Sequence, residues 1–218
     1  MMFGNALLRG IWVPVLALAV ASGAARVQAQ SPSRSLLDEA AAVEALLSGG
    51  QTIEALAAAR RFMHAVTDRT GFGVTNARLT VAPAEGFGMF DPRADNVYRI
   101  GEPVFAYVEV YGFSMSSLAT GANRLLFDVS FTLDNLDGQQ VTDAMIPMGE
   151  VRLDSYSQPI DGYFHLTYRV TGAEGPYTLR TLVVDRASGQ SAEFSLPVVF
   201  ADPDGSKRHD RVGDITSE

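Results

Sequence analysis

Two hydrophobic periods divide this chain. Between residues 35 and 69 apolar positions recur at helical spacing, and from Asn76 to Phe200 they recur mostly every second residue. Ser35 followed by Asp38 predicts an N-cap and capping box, after which Leu36, Ala40, Val43 and Leu47 fall on one helical stripe. Gly49-Gly50 stops that helix. A second is predicted from Thr52, with Leu56, Ala59, Met63 and Val66 on one face and Ile53 and Phe62 at its flanks. Two amphipathic helices joined by a glycine turn predict an antiparallel hairpin.

The β-patterned part opens with a strand over residues 78–82 and an irregular stretch through Gly86, Gly88 and Pro92. Its clearest strand spans residues 101–113. One register there is aliphatic (Val104, Ala106, Val108, Val110); the other carries Phe105, Tyr107, Glu109, Tyr111 and Phe113. Leu125, Phe127, Val129, Phe131 and Leu133 alternate with polar partners in the next strand. Asp134-Asn135-Leu136-Asp137-Gly138 predicts a turn into a strand over 139–146, residues 150–162 carry mixed signals, and a further strand is expected over 163–170. A final hairpin runs from Gly175 through Asp185, turns at Ala187-Ser188-Gly189-Gln190 and returns through Phe194, Leu196, Val198 and Phe200. Pro197 has no N–H for a ladder, which places the last strand at an edge or interrupts it there.

About seven short antiparallel strands separated by turns predict a mainly β protein, an immunoglobulin-like antiparallel β-sandwich preceded by an N-terminal α-helical hairpin. The run Pro176-Tyr177-Thr178-Leu179-Arg180 and the strand returning through Phe194 resemble the closing hairpin of bacterial immunoglobulin-like and fibronectin-III-like modules. Gly50-Gln51-Thr52-Ile53-Glu54-Ala55-Leu56 resembles part of a tetratricopeptide repeat, of which the chain holds one unit. Together with the leader described next and the Gly101-Glu102-Pro103 strand, these features resemble uncharacterised exported proteins of GC-rich proteobacteria. That resemblance implies an architecture and no activity.

Residues 1–29 read as a secretory signal peptide, with Arg9 ahead of an apolar run from Ile11 to Ala21 and Val27-Gln28-Ala29 as the cleavage site. The expected organisation is signal peptide 1–29, hairpin and linker 30–75, sandwich 76–200 and a charged, disordered tail 201–218. Localisation to the periplasm or exterior of a bacterium follows as an expectation. Export gives the absence of cysteine its meaning: the fold is held by its core, without disulfides.

Without residues 1–29, which contain two arginines and no acidic residue, 15 basic face 25 acidic side chains, a net charge of −10. That sign argues against binding nucleic acid or anionic lipid through bulk electrostatics, and no membrane insertion is expected once the leader is cleaved. His64, His165 and His209 are scattered, and Gly189-Gln190-Ser191-Ala192-Glu193 lacks the second glycine of a nucleophile elbow. Met145 and Met148 straddle Pro147 as packing residues rather than copper ligands. No metal or cofactor is implied, and the expectation is a protein that is not an enzyme. The candidate binding face is Phe105, Tyr107, Glu109 and Tyr111. It is suited to a protein partner, an unknown envelope protein, or alternatively to a glycan stacked on the tyrosines. A further expectation is that the helical hairpin packs over this face, Phe113 included, so that each covers the other's apolar surface.

Overall fold

The computed structural model describes residues 35–201. The expected signal peptide and nearly all of the expected tail lie outside the described residues. Helix α1 (Leu36–Ser48) starts on the capping box read from the sequence: the Asp38 N–H donates to Ser35 Oγ at 3.1 Å, and the Ser35 N–H donates to Asp38 Oδ2. Helix α2 (Thr52–Thr70) follows the Gly49-Gly50 turn, and the two pack on each other. The helices meet on a stripe rotated from the expected one. Half-buried Leu36, Val43 and Leu46 face buried Ala55 and Ala58 with half-buried Ala59 and Phe62, while Leu47, Leu56 and Met63 stay outside. Alanine at the contact lets two backbones approach closely, and that close packing selects the narrow stripe over the broader one.

Nine strands follow: β1 (Gly73–Thr80), β2 (Val97–Arg99), β3 (Val104–Tyr111), β4 (Ser116–Ser117), β5 (Asn123–Asp134), β6 (Ile146–Ser155), β7 (Asp161–Tyr168), β8 (Gly175–Asp185) and β9 (Ser191–Ala201). The chain is thus mainly β, with two helices ahead of the sheets. One sheet has the order β1-β3-β7. The other runs β2-β9-β8-β5, with β4 and β6 both on β5. All pairings between these strands are antiparallel except β2 on β9.

The inner faces of the two sheets share one core. Val104, Ala106, Val108 and Val110 of β3 meet Leu125, Phe127, Val129, Phe131 and Leu133 of β5, with Leu179, Val183, Leu196 and Val198 completing the far side. Both apolar registers read from the sequence are therefore buried. Between β7 and β8 the core also holds a polar link, the Tyr168 hydroxyl 2.8 Å from Thr181 Oγ1. Pro197 lies inside the β8–β9 ladder opposite Thr178. Its nitrogen faces the side on which β2 begins only at Val97, two residues along from the Val199 N–H that donates to the Asn96 carbonyl, so no ladder bond is lost. The strand expected over 139–146 is reduced to one bridge, Asp134 to Gln140; the next strand is β6, which carries Pro147 and Gly149 early in its run.

The hairpin is fastened where α2 runs into β1. Phe72 is buried and stacks on Phe127, ring centres 5.6 Å apart, and its N–H donates to Gln190 Oε1 at 2.9 Å. Two glycines make room for this junction. Gly112 holds φ at 64°, and a Cβ there would collide with the Gly71 carbonyl; a Cβ on Gly73 would collide with the Tyr111 ring.

Candidate functional site

The outward register of β3 lies between those of its neighbours in three rows: Asn76–Glu109–Tyr163, Arg78–Tyr107–His165 and Thr80–Phe105–Thr167. Tyr107 is the centre of this face, and it is closed. Phe90 stacks on its ring at 4.3 Å and Tyr163 at 5.7 Å, with Phe87 edge-on to Tyr163. The Tyr107 hydroxyl donates to Glu109 Oε1 at 2.7 Å and accepts from the Gly88 N–H at 2.8 Å. Asn76 Nδ2 donates to the same carboxylate oxygen at 3.3 Å, and Arg78 Nε donates to Asn76 Oδ1 at 2.9 Å.

Of the residues singled out in sequence, Tyr107 is buried, and Phe105, Glu109 and Tyr111 are half-buried. What covers the face is the chain between β1 and β2, through Gly88 and Phe90, and not the helical hairpin. The hairpin makes no comparable packing with any strand. Phe113 leaves the face altogether. The positive φ of Gly112 breaks the alternation and turns Phe113 into the core, edge-on to Phe127 at 6.1 Å. Tyr111 is occupied against Gly73. Fully buried, Tyr107 offers no open ring face on which a sugar could stack.

Burial, reinforced by the Glu109 carboxylate at its hydroxyl, pushes the Tyr107 phenol up to about 12. Burial does the same to Tyr98. An unfolded tyrosine ionises near 10, so between about pH 10 and 12 the unfolded chain loses protons that the folded chain keeps, and stability falls across that window. Thermal melts through that range are expected to show a decline that is shallower in Tyr107→Phe. At neutral pH the same variant, having lost its bonds to Glu109 and Gly88, is expected to be about 1–2 kcal/mol less stable. A variant as stable as the parent at neutral pH and equally alkali-sensitive would show that the hydroxyl network contributes nothing.

A second polar cluster closes the β2 end of the core. The Arg93 guanidinium lies 3.9 Å above the Tyr98 ring and pairs with Glu102 at 2.9 Å, and the Glu102 carboxylate also accepts from the Arg99 N–H at 2.8 Å. The Arg93 and Glu102 contacts hold the loop before β3, which makes the cluster a clamp, while the buried Tyr98 hydroxyl has no hydrogen-bond partner. A cavity of about 290 Å³ between β6 and β7 is lined by Val151, Leu153, Tyr163, Phe164 and His165. Its two titratable side chains, Tyr163 and His165, stand beside Val151, Leu153 and Phe164, without the set of nucleophile, base and oxyanion donors that acyl or phosphoryl chemistry brings together. Among the described residues, no group of three or more His, Cys, Asp or Glu is placed to hold a metal, and no helix is long and apolar enough to cross a membrane.

One group of exposed large apolar side chains is on the hairpin; others, among them Phe87, Met89, Leu136 and Tyr156, lie singly or in loops of the β part. Leu37 is 78% exposed, Ile53 75%, Leu56 59%, Leu47 58% and Met63 42%. Sequence periodicity found all of the hairpin residues but Leu37 and assigned Leu47, Leu56 and Met63 to the packed stripe. On α2 the signal that separates the two stripes is a run of small residues: Ala55, Ala58 and Ala59 mark the contact, and Leu56 and Met63 are left outside.

No family model matches the chain, and no curated protein matches it. Among solved structures it is similar to Spo0M, a sporulation control protein from Bacillus subtilis, at 13% identity over 65% of this chain and 54% of that one, with a TM-score of 0.38. A family 123 glycoside hydrolase from Clostridium perfringens aligns at 10% identity over 49% of this chain and 22% of that chain, TM-score 0.32. The bacterial hydrophobin BslA aligns at 15% identity over 59% of this chain and 98% of its own, TM-score 0.23. The chain spans about half the length of the sporulation protein. Likenesses this loose carry no argument about activity or partner.

Proposed function

We propose that the chain is a non-enzymatic interaction protein of the bacterial cell envelope, an immunoglobulin-like β-sandwich that holds a helical hairpin as a fixed arm and works through that arm. The single observation that carries this reading is the row of large apolar side chains left uncovered on a hairpin whose exit into β1 is locked by Phe72, Gly73 and Gly112. Exposed apolar clusters of this kind mark interaction surfaces on soluble proteins. A fixed mount adds to the argument, because a partner then loses little of its binding energy to ordering the arm.

The sandwich assignment is supported by strand order. Strands β1, β3 and β7 form one layer and β9, β8, β5 and β6 the other, with a short parallel strand on β9, and the chain crosses between layers repeatedly as immunoglobulin-like domains do. The envelope assignment is supported by the leader pattern of residues 1–29 and the cysteine-free, acidic composition. The closed state of Tyr107 supports the hairpin, rather than the tyrosine face, as the working surface.

Replacement of Leu56 and Met63 together by glutamate is the test. Both are solvent-facing, so the melting temperature is expected to move by no more than about 4 °C. In-cell cross-linking followed by mass spectrometry should then show a defined cross-linked species for the parent and its loss in the double variant. An unchanged cross-linking pattern would overturn the hairpin as the working surface.

A further inference from the structure

We infer that the partner of the hairpin face is a second copy of this chain, joined through a four-helix bundle in which α1 of each protomer lies along α2 of the other. The inference rests on the reading of the hairpin as the interaction element and supplies the identity of its occupant.

The geometry starts from the stripe the two helices turn toward each other. At 100° per residue, Leu47, Ala40, Glu44 and Leu37 lie to one side of that stripe on α1. Met63, Leu56, Arg60 and Ile53 lie to the same rotational side on α2. In an antiparallel pair, equal rotation from the contact line brings both sets to the same face of the hairpin. That face is therefore apolar along both helices, and all eight of its residues are exposed. The opposite face carries Asp38 from α1 and Glu54, Arg61 and Asp68 from α2 and stays compatible with water.

The five large side chains expose on the order of 600 Å² of apolar surface, at the top of the range for the largest patch on a monomer. With Ala40, Glu44 and Arg60 between them, the area approaches the roughly 800 Å² per partner of a standard interface.

Charge chooses the occupant and its orientation. The face carries one acidic residue, Glu44 on α1, and one basic residue, Arg60 on α2, and neither has an ion-pair partner among the described residues. A two-fold axis parallel to the helices lays α1 on the partner's α2 and brings Glu44 of each protomer within about one helical turn of Arg60 of the other, giving two equivalent pairs. The alternative two-fold, perpendicular to the helices, stacks α1 on α1 and sets acidic helix against acidic helix, since α1 contains Asp38, Glu39 and Glu44 and no basic residue. The face is thus complementary to itself in one arrangement and repelled in the other.

Sedimentation velocity and light scattering on the purified protein at micromolar concentration test this directly. The parent is expected to run at twice its chain mass. Leu56→Glu with Met63→Glu is expected to be monomeric with unchanged circular dichroism, which separates loss of the interface from loss of the fold. Glu44→Arg alone is expected to weaken the dimer about tenfold or more, and Glu44→Arg combined with Arg60→Glu to restore it. A parent that is monomeric throughout, or a dimer indifferent to these four residues, would overturn the inference. If that monomer still cross-links in cells from the hairpin to a different polypeptide, the second copy is excluded and the hairpin reading stands; if it cross-links to nothing, both fail.

Discussion

Phe127→Ala is expected to destabilise the protein by about 4 kcal/mol and to lower its melting temperature by about 12 °C. Phe127 is fully buried on β5, beside the junction that mounts the arm. Its ring meets Phe72 at 5.6 Å, Phe164 at 5.8 Å and Phe113 at 6.1 Å. Truncation removes the transfer energy of a large aromatic side chain, and the β-sheet backbones on either side keep the cavity from collapsing. Because Phe72 anchors the hairpin on this ring, amide exchange at residues 71–74 should accelerate more than exchange at the β8–β9 turn. A loss under about 1 kcal/mol, measured by urea unfolding, would mean that the aromatic cluster is not the keystone described.

The second large effect is at a position with no side chain. Gly112→Ala is expected to lose about 3 kcal/mol and about 9 °C in melting temperature. The residue has φ of 64°, where an alanine costs about 1–2 kcal/mol, and the new methyl meets the Gly71 carbonyl, adding an overpacking cost of about 1–3 kcal/mol. The strain falls on the path by which α2 enters β1, so the variant should loosen the arm before the sheets. A thermal melt indistinguishable from that of the parent would show that the junction yields easily and that the arm is not rigidly mounted.

These expectations mark where the sequence was readable. Period-two alternation on β3 and β5 picked out the register that faces the core, because a β-strand has only two faces and one of them was wholly apolar, although Tyr107 on β3 and Thr132 on β5 are buried from the other register as well. The capping box of α1 and both helix lengths were equally plain. The contact stripe of the hairpin was not, because a helix with many alanines has more than one apolar side, and the winner depends on how closely the partner helix approaches. The closure of Tyr107 was hidden for a different reason. Its cover, through Gly88 and Phe90, has no periodicity, and the pairing of Tyr107 with Tyr163 joins positions 56 residues apart. Strand β6 escaped because Pro147 and Gly149 interrupt a pattern that its pairing with β5 nevertheless sustains. The parallel strand β2 is three residues long and acquires meaning only from its place beside β9.

The claim that this protein works through its hairpin, and not through its tyrosine face, is tested most directly by a photo-reactive amino acid placed at position 56 and, separately, at position 165 on the outer face beside Tyr107. Irradiation of intact cells is expected to give a discrete cross-linked product from position 56 and none from position 165. A product from position 165 with none from position 56 would contradict the account and return the working surface to the sheet.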